Sequence, residues 1–480
     1  MNYQIPQEGL SKEVVLERLK QMRHSDVDYN SGKVWSLVYP YSKEHLDFVK
    51  SAYNEYFSEN ALNPMAFKSL KQMENEVVRM TADLFHGGDF AVGNLSSGGT
   101  ESLLLAVKTY RDRFRAKNNT IIKRFTNKST DLPEMILPES AHIAFNKASH
   151  YFDVKIVYAP LDANKRVDVA AVEKLINKNT MLLVGSAPSY PFGTIDPIEE
   201  LGQLAIKHKL PLHVDACVGG FILPFVEKNN RALPLWDFRV AGVTSISADI
   251  HKYGFAAKGA SVILYRSMEY LRHQFFVSSE WQGGMFVSPA LLGTRPGGAI
   301  AAAWATLMYM GQDNYTQTAE KIMQTTDKLT QGIAQIEGLS ILGTPHASLF
   351  AYHSVSEAID IYAVGDQMEK KGWHIDRQQK PACLHAMVSP IHSTTAQAYL
   401  NDLQQAVAHV KQHPELKSQG NAAMYGMMAK LPMRGMIQNE LLNLMESMYS
   451  VEGKAPDLES GKKDFKTQLA AMLIKIKDSF

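Results

Sequence analysis

From about residue 65 to residue 275, short apolar runs alternate with stretches of helical spacing. This alternation restricts the possible folds more than any other feature of the chain. The runs MILP (135–138), KIVYAP (155–160), TMLLVGSAP (180–188), LPLHVDA (210–216), GVTSIS (242–247) and ASVILY (260–265) have the length of buried strands. Between them, SAHIAFNKASHYF and PIEELGQLAIKHK carry apolar residues at helical spacing. Such a pattern predicts an α/β domain with a mostly parallel central sheet. Ligands of these sheets sit beyond the carboxyl ends of the strands. The residues that follow each apolar run are therefore the first places to look for chemistry.

The flanks read differently. Residues 11–23, SKEVVLERLKQMR, predict an amphipathic helix with Ser11 as its cap, and residues 43–58 predict a second. A long helical stretch at 314–337 leads into mixed strands and helices. The expected organisation is an N-terminal helical segment (1–57), a large domain (58–310) and a smaller C-terminal α+β domain (311–480).

Composition excludes several classes. A formal net charge of +1 gives no general attraction to nucleic acid. Two cysteines, Cys217 and Cys383, cannot supply a disulfide framework and suit a reducing, cytoplasmic setting. The polar N-terminus lacks the apolar core of a signal peptide, although export by another route stays open. PGGAIAAAWATLMYMGQ is short for a membrane span and holds Pro296 and three glycines, so a buried helix and a soluble protein without a transmembrane segment are expected. The basic stretch 111–128 reads as a solvated helix end and loop, or else as a docking site for an anionic surface.

Four short motifs fall at strand ends or helix starts. NLSSGGTES (94–102) opens a helix, where Gly99 and Thr100 let backbone N–H groups close on an anion such as phosphate. Alone, this describes no more than an N-cap turn. HVDAC (213–217) places Asp215 at a strand end, where a buried acid needs a partner, either a salt bridge or a cationic heterocycle nitrogen. His142, in PESAHIAF, could stack on an aromatic ring or be an ordinary structural histidine. His251 and Lys252 follow GVTSIS in ADIHKYGFAAKGAS, with Lys258 six residues on. A phosphate cup, a ring stacker, an acid and a lysine together describe a site for pyridoxal 5′-phosphate, whose aldehyde a lysine binds as a Schiff base. No metal is called for.

The order and local sequences resemble the aspartate-aminotransferase-type fold, fold type I of the pyridoxal phosphate enzymes, in the group-II decarboxylase branch. The resemblance is closer to the sphingosine-1-phosphate lyase family. It is carried by SSGGTES, SAHIAFNKASHYF, PLHVDACVGGF, FRVAGVTSISADIHKYGFAAKGASVILYRS, QFFVSSEWQGGMFVSPALLGTRPGG and MYGMM, and runs from about Ser31 to Tyr449. It implies that Lys252 is the Schiff-base lysine, that Asp215 pairs with the pyridine nitrogen and that His142 stacks on the ring. Gly99, Thr100 and His251 match the phosphate cup. Thr294 matches a position that reaches the phosphate from the other subunit, which implies a homodimer with shared active sites. Tyr39, Asn60 and Lys258 match positions around the substrate's phosphate and amino alcohol, and Tyr190 matches a position near the ring. Lys258 is either a phosphate ligand or a base.

The implied reaction cleaves the C2–C3 bond of a phosphorylated long-chain base to a fatty aldehyde and phosphoethanolamine. An amino-acid decarboxylase is the alternative, but it needs a cation aimed at an α-carboxylate, and none can be placed. A catalytically silent cofactor-binding partner protein is a second alternative, and the complete set Lys252, Asp215 and His142 argues against it. Eukaryotic members carry an N-terminal membrane anchor, which this chain is expected to lack. One departure stands out. Where the family reads Asn-Pro-Leu-His-Pro, this chain reads NALNP (60–64), so Asn63 stands at the position of a histidine that helps bind the substrate phosphate.

Overall fold

A computed structural model describes residues 4–118, 132–430 and 434–450. Seven strands form the central sheet: β1 (Val92–Ser96), β2 (Glu134–Pro138), β3 (Lys155–Ala159), β4 (Thr180–Ser186), β5 (Leu212–Asp215), β6 (Val243–Ala248) and β7 (Ser261–Tyr265). Their spatial order is β1-β7-β6-β5-β4-β2-β3. Pairing is parallel from β3 through β6, and only β7 runs antiparallel to its neighbours β6 and β1. Every residue of β2, β4, β5, β6 and β7 is buried, as expected of strands covered on both faces by crossover helices. The sheet is the mostly parallel one expected from the alternating pattern.

Register brings the strand ends together. Asp215 at the end of β5 lies opposite Ser186 of β4 and Ser247 of β6. Lys252 follows β6 in the same ridge. The Gly99–Asn118 helix starts directly after β1 and packs against β6 and β7.

Beyond a short hairpin, β8 (Phe276–Ser278) and β9 (Phe286–Ser288), the helix Gly297–Ala334 crosses to the second sheet. Most of the PGGAIAAAW stretch is buried in this helix, and no helix among the described residues is long and apolar enough to cross a membrane. At Gly311 the backbone leaves helical geometry (φ 56°, ψ 173°), a left-handed φ that glycine adopts without steric cost.

The second sheet contains β10 (Leu339–Ile341), β11 (Leu349–Ser354), β12 (Asp376–Gln378) and β13 (Cys383–Met387), all antiparallel in the order β10-β11-β13-β12. Helices Ile361–Glu369 and Ala396–Gln412 complete this α+β unit. The N-terminal segment is tied into it. Trp35 is fully buried, stacks on His392 with centroids 4.3 Å apart, and donates its backbone N–H to the His374 carbonyl at 3.1 Å. This docking carries residues 36–39 to the mouth of the large domain.

The Lys12–Arg23 helix is capped by Ser11, as expected. In the basic stretch, Arg111 and Arg113 pair with Asp112 and Glu269. The rest of that stretch, from residue 119 to 128, lies outside the described residues, as does the expected small domain beyond residue 450.

Candidate active site

The site begins at the turn after β6. Lys252 Nζ lies 2.9 Å from Asp249 Oδ2, and the Asp249 side chain is almost wholly buried. Burial works against the lysine's charge, but the Asp249 carboxylate outweighs it and holds the ammonium above the usual lysine range. His251 Nδ1 accepts the Ala260 backbone N–H at 3.2 Å, which turns Nε2 toward Asp249 Oδ2 at 3.7 Å. Burial lowers the His251 pKa and favours the neutral ring. Asp215, on the neighbouring strand, accepts the Cys217 backbone N–H at 3.0 Å. The Cys217 thiol donates to Ser247 Oγ, and burial pushes its pKa well up. It is a packed residue and not a standing thiolate.

The Gly-Gly turn closes on this group. A Cβ placed on Gly99 would come 2.7 Å from Asp249 Oδ2 and 2.9 Å from Cys217 Sγ, and one on Gly98 would come 3.4 Å from His251 Cε1. Only a residue without a side chain lets the start of the helix approach the His-Lys turn so closely. The helix N-terminus, His251 and Lys252 therefore share one small region, and Asp249 Oδ1 is left there buried without a hydrogen-bond partner. Glu101 in the first helical turn accepts the backbone N–H groups of Ser97 at 2.7 Å and Leu291 at 3.0 Å, which fixes the turn and docks the 291–296 loop on it. A backbone anion cup, a lysine and an acid within one cradle fit a phosphorylated aldehyde cofactor.

Two aromatic side chains stand at a second edge. His142 Nδ1 accepts the Ala144 N–H at 3.2 Å at the start of the Ala144–Phe152 helix, and its ring meets Tyr190 edge-on at 6.2 Å. Tyr190 follows β4 and donates its hydroxyl to Asp376 Oδ2 at 3.0 Å.

The remaining expected residues come from other segments of the chain. The Lys258 ammonium donates to the Leu37 carbonyl at 3.0 Å and sits 5.0 Å above the Tyr39 ring. Burial and the nearby Lys252 lower its pKa. Tyr39 packs edge-on against Tyr253 and directs its hydroxyl to Met387 Sδ. Asn60 Nδ2 donates to Thr294 Oγ1 at 3.2 Å, so these two form a pair within the chain. Asn63 is exposed, and its Oδ1 caps the following turn by accepting the N–H groups of Met65 and Ala66. Two acids in this site, Asp249 and Asp376, were not singled out in the sequence. Asp249 could have been found as an acid three residues before the lysine in DIHK. Asp376, in HIDRQQ, carries no comparable signal.

Fold and site define the class, and comparison with known proteins agrees. Residues 47–354 match the pyridoxal-dependent decarboxylase conserved domain. Sphingosine-1-phosphate lyase 1 of Rattus norvegicus is 42% identical over 451 residues, 93% of this chain and 77% of that protein. The Arabidopsis thaliana sphingosine-1-phosphate lyase is 42% identical over 453 residues, 93% of this chain and 81% of the relative. The structure of a Burkholderia pseudomallei sphingosine-1-phosphate lyase superposes with a TM-score of 0.82 at 36% identity, covering 93% of this chain and 97% of that one. The chain belongs to the sphingosine-1-phosphate lyase family of pyridoxal phosphate-dependent enzymes.

Proposed function

We infer that this protein is a pyridoxal 5′-phosphate-dependent aldehyde lyase. It cleaves the C2–C3 bond of sphingosine 1-phosphate or a close analogue and releases a fatty aldehyde and phosphoethanolamine. The observation that carries this reading is the convergence of Gly99, Cys217, Asp249 and Lys252 on one cradle, in a chain that aligns with lyases of this specificity over 93% of its length.

When bound, the cofactor supplies an electron sink for the pair left at C2 as the C2–C3 bond breaks. Lys252 is the residue to hold its aldehyde. Asp215, at the end of β5, is the acid to keep a ring nitrogen protonated, and His142 is the flat group to lie against the ring. Gly99, Thr100 and His251 would hold the phosphate. Lys258, Tyr39 and Asn60 are assigned to the substrate phosphate and amino alcohol, with Asn63 beside them as a neutral donor. Lys258 suits binding because its ammonium already points its N–H groups at two backbone carbonyls, those of Leu37 and His251.

The homodimer belongs to the same reading. Phe276, Val277, Trp281, Met285 and Val287 are all exposed on the β8–β9 hairpin, a short way before Thr294. Large apolar side chains left exposed on a hairpin suit burial against a second copy, and Thr294 would then reach the partner's phosphate cup. A cytoplasmic setting fits two cysteines that are both free and buried. The test is a substrate panel of phosphorylated and unphosphorylated long-chain bases with mass detection of aldehyde. Phosphorylated bases should be cleaved with far higher kcat/KM. Equal rates on both would remove the phosphate from the recognition scheme.

A further inference from the structure

We propose that Asp376, on the small-domain sheet, is the terminal acceptor of the substrate's C3-hydroxyl proton and works through Tyr190. The proposal rests on the lyase reading above and names the base that this reaction requires.

The geometry starts from the single proton of a phenol. Tyr190 donates that proton to Asp376 Oδ2 at 3.0 Å, so only lone pairs remain on the phenol oxygen. A lone pair there can accept a hydrogen bond from a substrate hydroxyl but cannot donate one. Burial, reinforced by Asp376, holds the Tyr190 phenol well above its ordinary range, so it is no standing phenolate. It can take a proton only by giving one up in the same event, and Asp376 is where its own proton already points. The Tyr190 ring meets His142, the expected ring stacker, edge-on at 6.2 Å, which puts the pair beside the expected cofactor.

The surroundings hold this pair in place from two parts of the chain. Ser36, in the N-terminal segment, donates to Asp376 Oδ1 at 3.1 Å, so the second carboxylate oxygen is fixed and Oδ2 stays turned to Tyr190. His385, directly opposite Asp376 in the β12–β13 register, lays its ring 4.7 Å from the Tyr190 ring. Burial lowers its pKa to about 4, so the ring beside the pair carries no charge. The rival base, Lys258, presents an ammonium whose N–H groups point at carbonyl oxygens, and an ammonium has no lone pair.

The step balances. The substrate O–H bond breaks and an O–H bond forms on Tyr190, while the original Tyr190 O–H breaks and its proton joins Asp376 Oδ2. The oxygen left on C3 becomes the aldehyde carbonyl as the C2–C3 pair stays with C2. After the aldehyde has left, the proton on Asp376 passes to water and C2 takes up one proton in exchange, so phosphoethanolamine forms with no net proton released. Tyr190 is thus the catalytic residue, and Asp376 acts through it.

The test is a double-mutant cycle on the cofactor-loaded protein with Tyr190→Phe, Asp376→Asn and both together. Removing a general base lowers kcat by roughly 10²–10⁴-fold. Each single variant should lose about 10²-fold or more in kcat with KM changed by less than about threefold. The cofactor absorbance should be unaltered. The double variant should be no slower than Tyr190→Phe alone. An active wild type with Tyr190→Phe at wild-type kcat overturns the proposal, and that variant keeps the aromatic ring and so tests it even if Asp376→Asn fails to fold. A second loss when Asp376→Asn is added to Tyr190→Phe also overturns it, because Asp376 would then act independently of the phenol. A wild type that releases no aldehyde from any phosphorylated base overturns the lyase reading first and this proposal with it.

Discussion

The floor and the rim of the site are built in different ways. The floor lies at the carboxyl ends of β5 and β6, where Asp215, Asp249 and Lys252 are held by a buried sheet, by backbone N–H groups and by a glycine turn that tolerates no side chain. The residues assigned to the rim come from distant, more exposed segments: Tyr39 from the N-terminal strap, Asn60 and Asn63 from a loop, and Thr294 from the stretch after the β8–β9 hairpin. A floor so tightly packed can change little without losing the chemistry. A rim held by a few exposed hydrogen bonds can change residue by residue and alter which substrate is held. The Asn63 departure falls among the residues assigned to the rim, where that freedom exists.

The sharpest way to break the contrast is at the floor. Lys252→Ala should lower turnover by roughly 10⁴-fold or more, as expected for a residue whose covalent role no neighbour can assume. The borohydride-fixed absorbance band of the lysine-bound cofactor should vanish with it. Turnover near wild type would mean that another lysine makes the link. Next, Asp215→Asn keeps the shape but removes the negative charge, and should cost on the order of 10²–10³-fold in kcat with the cofactor still bound, measured in steady state on the loaded enzyme.

Rim changes should act on KM. Lys258→Met should raise KM for a phosphorylated base by about tenfold to a hundredfold, the equivalent of losing one charged hydrogen bond, while kcat falls much less. Its pH dependence has a definite sign. Burial and Lys252 hold the Lys258 pKa below that of an ordinary lysine, so its positive charge is present on the acid side and lost earlier as pH rises. The wild-type KM should therefore rise on the alkaline side, below the pH at which an ordinary lysine would titrate, and Lys258→Met should flatten that rise. A kcat effect larger than the KM effect would move Lys258 from the rim to the chemistry. The smallest effect belongs to Asn63→His. An added imidazolium should lower KM about fivefold, the equivalent of about 1 kcal/mol, and only below about pH 6.5 where the ring is charged. A KM profile that does not change would place Asn63 away from the substrate phosphate.

The same contrast explains what could be read from the sequence. The six apolar runs became β2 to β7, five of them fully buried strands whose side chains must be largely apolar and β3 the half-exposed edge of the sheet. The first strand, VGNLS, was not legible. Its Asn94 and Ser96 are polar yet buried, satisfied by hydrogen bonds to the Leu95 carbonyl and to Ser102, and Gly93 is there because a Cβ would strike the Ile263 carbonyl of β7 at 2.1 Å. The antiparallel course of β7 was equally hidden, since an apolar run carries no direction. At the site, Lys252 and Asp215 were legible because charge at the end of an apolar run is rare. Asp376 was not, because its meaning comes only from the small sheet bringing it to Tyr190 across 186 residues of chain.

The central claim is the bond that breaks. The most direct measurement supplies the loaded protein with sphingosine 1-phosphate carrying ¹³C at C1 and C2 and follows both products by mass. Cleavage between C2 and C3 predicts doubly labelled phosphoethanolamine and an unlabelled fatty aldehyde in equal amounts, with no carbon dioxide from amino acids offered in its place. Label retained in the aldehyde, or carbon dioxide release from an amino acid with no aldehyde from the lipid, would contradict it.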